Sequence, residues 1–400
     1  QPTDRDSFKF KRVEVPGKLM YDLFKEYFKL QQDNIKLKLD TEYNLKKSKT
    51  IYQGETFKDV VSKNYEVFFK ERVLEDGFKK AFKGNWGSQE HTKRVGAVQD
   101  LNRLSYNSFI SHLRKINLPM DSSSKVVKPR LLHGSQWGII DPVDTPDGGN
   151  VGFHKHMAIS THITSGCSGY PMMKFLRSIC NMKLLEECNN KYLYSATKVM
   201  VNGSWIGVIS DAQEILRLIQ KYKRNGLLPI YTSSSWNIKK NELIIFTDSG
   251  RLCRPIFYVK NKDPSFKRKQ ILEKINNNKF SWSNLISGFA GKKIKEYDVN
   301  SCNIYDITDL YDTDKFEDLE TTEGIIDYID TAEEETALIS SEYDFDTKKP
   351  YTHVEIHPSL LLGVMGNQIV FPENNQLPRD LFFCGQAKQA VSLYSSNFFS

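Results

Sequence analysis

The chain has 400 residues and a mass of 46.2 kDa, with 39% hydrophobic and 26% charged residues. That composition excludes a largely disordered protein, and the length is too great for one compact core, so two to four domains are expected. The formal net charge is +7, and nowhere does an uninterrupted apolar run reach the roughly 18 residues of a membrane span.

The six cysteines, Cys167, Cys180, Cys188, Cys253, Cys302 and Cys384, contain no CxxC pair. This excludes a zinc knuckle, a thioredoxin-type redox site and a disulfide scaffold, and fits a reducing compartment. The polar start Gln1-Pro2-Thr3-Asp4-Arg5-Asp6 has no apolar signal stretch and reads as a chain cut from something longer. Charge is uneven: between Asp306 and Asp346 stand sixteen acids and one base, Lys315. The other 359 residues hold 55 bases and 33 acids, a net +22. A basic body with a segregated acidic segment points to a polyanionic partner, or to a merely solvated linker.

In chain order, Pro16 opens a helix with Leu19, Leu23, Tyr27 and Leu30 at helical spacing. Asp40–Gly54 is polar and Lys-rich and is predicted as a loop, and Phe57–Ala81 as one helix. Gly84-Asn85-Trp86-Gly87 is a turn, and Ala97–Ile116 reads as a third helix ended by Pro119. Asp121-Ser122-Ser123-Ser124-Lys125 is a loop, Asp144-Thr145-Pro146-Asp147-Gly148-Gly149 a second turn, and Val151–Thr164 is mostly extended. Lys198–Val208 forms a hairpin about Asn202-Gly203, a pair tolerant of positive φ. Ala212–Tyr222 is an amphipathic helix, and Leu243–Val259 a strand pair folded about Asp248-Ser249-Gly250. The stretch Asn261–Ile294 is partly helical; Ile325–Ile339 holds a short strand and then a helix start at Thr331-Ala332-Glu333-Glu334-Glu335. The predicted class is α+β, multi-domain, with mixed helices and small antiparallel sheets.

Three groups of residues could carry chemistry. His353-Val354-Glu355-Ile356-His357, if a strand, puts two imidazoles and a carboxylate on one face, enough for a metal site or an acid-base pair. The plain alternative is a polar strand face. Asp141, Asp144 and Asp147 sit on one turn but lack calcium-loop spacing, and no GxGxxG, GxxxxGK[ST] or GxSxG is present. The basic stretch Arg94–Arg130, with Arg103, Arg114, Lys115, Lys125, Lys128 and Arg130 near Trp137, offers phosphate contacts beside a loop; its alternative is a solvated basic helix face. His154 and His156 share a strand face and read as structural, and Arg379, before a helix starting near Asp380, is a seat for phosphate oxygens.

Taken together, Gly84-Asn85-Trp86-Gly87, Leu101-Asn102-Arg103-Leu104, Ser111-His112-Leu113-Arg114, Lys128-Pro129-Arg130-Leu131-Leu132-His133 and Asp144-Thr145-Pro146-Asp147-Gly148 resemble the second-largest (β-type) subunit of multisubunit DNA-dependent RNA polymerases. So do Val201-Asn202-Gly203-Ser204-Trp205-Ile206-Gly207, Thr247-Asp248-Ser249-Gly250-Arg251, Tyr328-Ile329-Asp330-Thr331-Ala332-Glu333-Glu334-Glu335, Thr352–Pro358 and Asn375-Gln376-Leu377-Pro378-Arg379, in the family's order and of a eukaryotic-nuclear or giant-virus flavour.

The resemblance implies an architecture of five parts: residues 1–83, the end of the lobe and returning protrusion; 84–164, the fork; 165–260, external 1; 261–345, external 2; and 346–400, the fork return and the start of the hybrid-binding region. It implies that Gln89–Arg94 is fork loop one and Met120–Val127 fork loop two, where Asp121-Ser122-Ser123-Ser124-Lys125 stands for the family's Gly-Arg-Asp-Gly-Lys. Arg130, Asp147, Lys125, Lys128, Lys388 and Gln389 are implied nucleic-acid contacts, the last two near the RNA 3′ end, and Arg379 the contact to the nucleotide's phosphates. The family has Glu where Asp144 and Asp147 stand, so charge is kept and reach is lost.

No catalytic or metal-binding residue is implied in this chain. The Mg²⁺ of the complex is held mainly by the largest subunit, and an acidic pair, paired lysines and zinc cysteines are expected beyond Ser400. The implied partners are the largest and other polymerase subunits, the DNA template, the RNA transcript and NTPs, with no membrane, in a nucleus or viral factory. The rival readings are a standalone nucleic-acid-binding subunit without catalysis and a metal-dependent hydrolase using His353, Glu355 and His357.

Overall fold

In a computed structural model, residues 4–48, 56–267, 273, 281–288, 319, 323–343 and 349–391 are described. The chain divides into two compact units, Glu14–Leu101 and the remainder.

In the first unit, α1 runs from Pro16 to Ser48, about 50 Å at the rise of an α-helix. Its apolar stripe puts Leu23 and Tyr27 into a core with Ala81 and Trp86. The helix continues through Asp40–Ser48, expected to be loop, because no Gly or Pro interrupts it; residues 49–54 of that loop lie outside the described residues. The single helix expected over Phe57–Ala81 is two, α2 (Phe57–Phe69) and α3 (Val73–Phe82), with Glu75 and Asp76 stabilising the new amino end. Gly77 is needed where it stands, since a Cβ there would lie 2.5 Å from the Tyr27 ring of α1. Glu26 of α1 accepts hydrogen bonds from the Ser88 amide (3.0 Å), the Ser88 hydroxyl (2.5 Å) and the Thr92 hydroxyl, and so holds the 88–92 loop.

The second unit carries small mixed sheets and short helices, the multi-domain α+β architecture expected. Its first helix, α4, covers only Tyr106–Leu113, because Ser105 caps it by accepting from the Ser108 amide; residues 97–105 are not helical as expected. β1 (Lys115–Asn117) pairs antiparallel with β2 (His154–His156), setting Lys115 opposite His156. β3 is His162–Ile163.

A five-stranded sheet follows, in the order β4 (Lys183–Leu184), β6 (Ser204–Ile209), β5 (Thr197–Val201), β8 (Glu242–Phe246), β7 (Ser233–Asn237). The β5–β6 turn is the expected one, with Asn202 at φ 49° and Gly203 at φ 86°. Helices α5 (Gly169–Ser178) and α7 (Ala212–Arg224) share a core with this sheet through Phe175, Leu176, Ile215, Ile219, Val199 and Leu243, while the short α6 is Asn190–Ser195.

The strand pair expected over Leu243–Val259 does not pair with itself. After Gly250 the chain has left that sheet, and β9 (Leu252–Lys260) is the spine of a second sheet, bonded to β3, β10 (Asp263–Pro264), β11 (Ile326–Asp330) and β13 (His353–Val354). Two short helices, α8 (Trp282–Ser287) and α9 (Thr331–Glu334), and the strand β12 (Ile339–Ser340) complete this part, and α10 (Leu377–Gln389) is the last described helix.

The described part of the acidic segment is not set apart from the basic body. Its residues 306–318, 320–322 and 344–346 lie outside the described residues, but six described acids reach bases elsewhere: Glu323–Lys260, Asp327–Arg224, Asp330–Arg251, Glu333–Lys223, Glu334–Arg254 and Glu335–Lys9. Six of the body's bases are therefore spent internally. Among the described residues no helix is long and apolar enough to cross a membrane.

Candidate nucleic-acid interface

The Asp144 turn, the paired strands β1 and β2 and the carboxyl end of α10 line a cavity of about 510 Å³. Local chemistry folds each wall. The Thr145 hydroxyl donates to the His154 carbonyl (2.9 Å) and accepts from the Gly152 amide (2.8 Å), which turns residues 145–152 back onto β2. The Ser105 hydroxyl donates to the Lys388 carbonyl (2.8 Å), tying the start of α4 to the end of α10. Asp141 accepts from the amides of Gly363 (2.8 Å), Gly366 (3.2 Å) and Val143 (3.1 Å), fastening the 363–366 segment to the same turn. A Cβ at Gly363 would come within 2.5 Å of that carboxylate.

Inside, Lys388 Nζ lies 2.6 Å from Asp144 Oδ1 and 3.3 Å from His156 Nε2. An ammonium only donates, so His156 Nε2 accepts, and the neutral ring keeps its proton on Nδ1, donated to the Asp144 carbonyl at 2.9 Å. Burial lowers His156 to about 4 from its ordinary 6.5; the Lys388 charge adds to this and the Asp144 charge opposes it. Lys115, opposite His156, is lowered by its own burial and by Lys388. Ser111 lines the cavity at 4% exposure with an unpartnered hydroxyl. The cavity thus offers the Lys115 ammonium, the Lys388 ammonium already paired with Asp144, a buried hydroxyl and the amides of Gln386 and Gln389, with Asp147 at its rim, donors suited to a hydrogen-bonding, phosphate-bearing chain.

A base lowered on folding binds its proton more readily in the unfolded chain. Its stability contribution is complete above pH 6.5 and is lost as pH falls from there toward 4. His353, lowered to about 4 by burial, has the same sign. Asp141, raised to about 6 by burial, has the opposite sign: its contribution is present below its ordinary 3.8 and is lost as pH rises through 6. His156→Asn, whose amide can still accept from Lys388, is expected to flatten the acid-side slope by up to about 1.4 kcal/mol per pH unit. Chemical denaturation between pH 4 and 6.5 checks this, and an unaltered slope rules out a buried neutral imidazole.

The structure sorts the sequence candidates. Asp147, Lys388 and Gln389 meet in this cavity, Asp147 on its exposed rim. Arg130 stands against the Phe153 ring, 3.8 Å from its centroid, and gives its terminal N–H groups to the carbonyls of Gly149, Val151, Ser122 and Ser124. It braces the 122–124 loop against the 149–151 turn. Arg114 is spent likewise, on the carbonyls of Ala158, Ile159 and Thr161. Lys125 and Lys128 are exposed. Arg379 lies in the first turn of α10, which begins at Leu377 rather than near Asp380, and is exposed; nine residues separate it from Lys388, about 14 Å along the axis.

The His353/Glu355/His357 triplet does not share a strand face. β13 ends at Val354, Glu355 is bound to Arg254 at 2.6 Å, and exposed His357 caps the next turn by accepting from the Ser359 amide. Among the described residues no group of three or more His, Cys, Asp or Glu is placed to hold a metal ion. His156 escaped the sequence reading as a site residue, and Lys115 entered it only as one of a basic run. Only the β1–β2 pairing brings these two together, across about forty residues of chain.

The family description "RNA polymerase Rpb2, domain 3" matches residues 99–163 and "RNA polymerase Rpb2, domain 4" residues 199–260. The first contains α4, the Asp144 turn and both strands of the cavity wall; the second is most of the sheet-and-helix module and β9. These two segments are therefore similar to Rpb2-type domains. Over 99% of its length the chain is 31% identical to "DNA-directed RNA polymerase II subunit RPB2" of Encephalitozoon cuniculi, covering 31% of that protein. It is 32% identical to "DNA-directed RNA polymerase II subunit 2" of Arabidopsis thaliana (99% of this chain, 30% of the relative). It is 29% identical to "DNA-directed RNA polymerase subunit 2" of Acanthamoeba polyphaga mimivirus (99% and 31%). The chain spans about a third of the length of these curated relatives, and along all of it is similar to the second, β-type subunit of DNA-directed RNA polymerases.

Proposed function

We propose that this chain is part of the β-type subunit of a DNA-directed RNA polymerase and lines the active-centre cleft, acting with the largest and other subunits on DNA template, RNA and NTPs in a nucleus or viral factory. The observation that carries this reading is the convergence of Lys388, Lys115, Asp147 and Gln389 on one cavity within a chain similar throughout to second polymerase subunits. Lys388, Lys115 and Gln389 receive the backbone near the RNA 3′ end. Asp147 bounds that channel, and Lys125 and Lys128 meet nucleic acid from the exposed loop. Arg130 acts by holding the loop and turn in register, and Arg379 takes the phosphates of the incoming nucleotide.

The activity is nucleotidyl transfer by the complex, and the chain alone is inactive. Among the described residues no carboxylate cluster fits Mg²⁺: at the cavity, Asp141 accepts from three amides and Asp144 is paired with Lys388. The metal ligands are contributed mainly by the largest subunit, and this chain supplies positioning and fixed charge.

In the assembled enzyme, Arg379→Ala is expected to slow nucleotide addition at limiting NTP by about tenfold to a hundredfold, the loss of one charge-assisted phosphate contact of roughly 1.5–3 kcal/mol. Single-nucleotide addition rates check it, and wild-type rates at limiting NTP would remove Arg379 from the substrate site.

A further inference from the structure

Lys388 stands between two acceptors. Its ammonium lies 2.6 Å from Asp144 Oδ1 and 3.3 Å from His156 Nε2, and its side chain keeps 22% exposure at the cavity. The Ser105 hydroxyl ties the Lys388 carbonyl at 2.8 Å, so the backbone is held and the side chain is the part that turns. Asp144 is 3% exposed and His156 5%. Asp144 Oδ1 has a second basic neighbour, His156 Nδ1 at 3.2 Å. One buried carboxylate is thus bordered by a charged ammonium and by an imidazole that is neutral in this arrangement.

A transcript phosphate entering this cavity meets a cation that Asp144 already holds. Drawing Lys388 away would strand a buried carboxylate, which is strongly unfavourable. His156 resolves the conflict by titrating. Protonated, it donates from both ring nitrogens: Nδ1–H serves the Asp144 side, and Nε2 no longer accepts from Lys388. The ammonium is then repelled from the ring and turns to the phosphate. Resting on the assignment of Lys388 to the transcript, we propose that His156 is a positioning residue for Lys388. Phosphate entry is coupled to the uptake of one proton from solvent at His156 Nε2; the imidazolium takes over Asp144 and releases Lys388 to the RNA.

Asp144 from the turn, Lys388 from α10 and Lys115 from β1 all act on the ring. Burial is the largest influence against protonation, and withdrawing Lys388 removes one of the two cations that add to it. Lys115, exposed on β1 opposite His156, is the rival replacement beside Asp144, and it brings no proton. His154, on the same strand, is lowered by burial and by Lys115. His112 of α4 and Asp147 also line the cavity. The Cys384 thiol of α10 is raised by burial and stays neutral, whereas Asp141, raised to about 6 by burial, titrates on the same turn as Asp144.

The test is the affinity of the assembled enzyme for a 3′-hydroxyl RNA annealed to template DNA and lacking terminal phosphates, measured between about pH 5.5 and 8. Wild-type affinity is expected to fall as pH rises, by up to about tenfold per pH unit for one proton. His156→Asn, which takes up no proton and keeps Asp141, is expected to show a flatter profile. Asp144→Asn removes the carboxylate that holds Lys388, and is expected to tighten binding about tenfold at pH 8 and to flatten the profile as well. Coincident wild-type and His156→Asn profiles, or an Asp144→Asn complex no tighter than wild type, overturn the coupling. Lys388→Met paired with Asp144→Asn tests the assignment beneath it. Binding weaker than in Asp144→Asn, together with coincident profiles, removes the coupling alone; undiminished binding removes the transcript contact and the coupling with it.

Discussion

Replacing Arg254 by methionine is expected to destabilise the chain by about 3–5 kcal/mol at pH 8, the cost of stranding a buried charge partner. Arg254, 1% exposed on β9, gives one terminal nitrogen to Glu355 at 2.6 Å and the other to Glu334 of α9 at 2.7 Å. Its guanidinium lies against Gly138, where φ is +73° and a Cβ would fall 2.5 Å from Arg254 Cζ, so only glycine leaves the slot open. One side chain thereby joins the Trp137–Gly138 turn, α9 and the residue after β13.

The deficit is expected to be pH-dependent. Burial already raises Glu334 to about 7 even with the arginine in place. An acid raised on folding contributes stability that is present at low pH and lost as pH rises through its folded value. The variant should therefore lose less at pH 5 than at pH 8. Denaturant midpoints at the two values check it, and a loss below about 1 kcal/mol at pH 8 would mean the ion pairs contribute little beyond their desolvation cost.

The second large effect belongs to Lys388. Lys388→Met leaves Asp144, 3% exposed, without its cation, a loss of about 3–5 kcal/mol in stability. Pairing it with Asp144→Asn removes the stranded charge and is expected to recover most of that stability. If Lys388 serves the transcript as proposed, the double variant in the assembled enzyme should still add nucleotides about tenfold to a hundredfold more slowly, a missing charge-assisted contact. Recovered stability with wild-type elongation would reduce Lys388 to a structural partner of Asp144.

Much of this protein was legible along the chain because the responsible signals are local. The Asn202-Gly203 hairpin, the stripe of α1 and the amphipathic α7 follow from side-chain periodicity and turn chemistry within a few residues, and the family resemblance from short ordered motifs. The misplaced helix ends also have local causes that composition obscures. Ser105 outcompetes the helical pattern upstream of it by capping, and nothing between Asp40 and Ser48 forbids a helix that a polar composition had made look like loop.

What sequence alone determined, then, is the class of elements, their order and the residue types offered for phosphate binding. Tertiary structure decided which of those charges remain available. Ion pairs across a hundred residues, such as Arg254 with Glu355, and carbonyl braces such as Arg130 use bases that look free in the sequence. Coulomb and hydrogen-bond partners are set by distance in space, which strand pairing controls and local sequence does not encode. Lys388, Asp144 and His156 become one site only because β1, β2 and α10 close on each other.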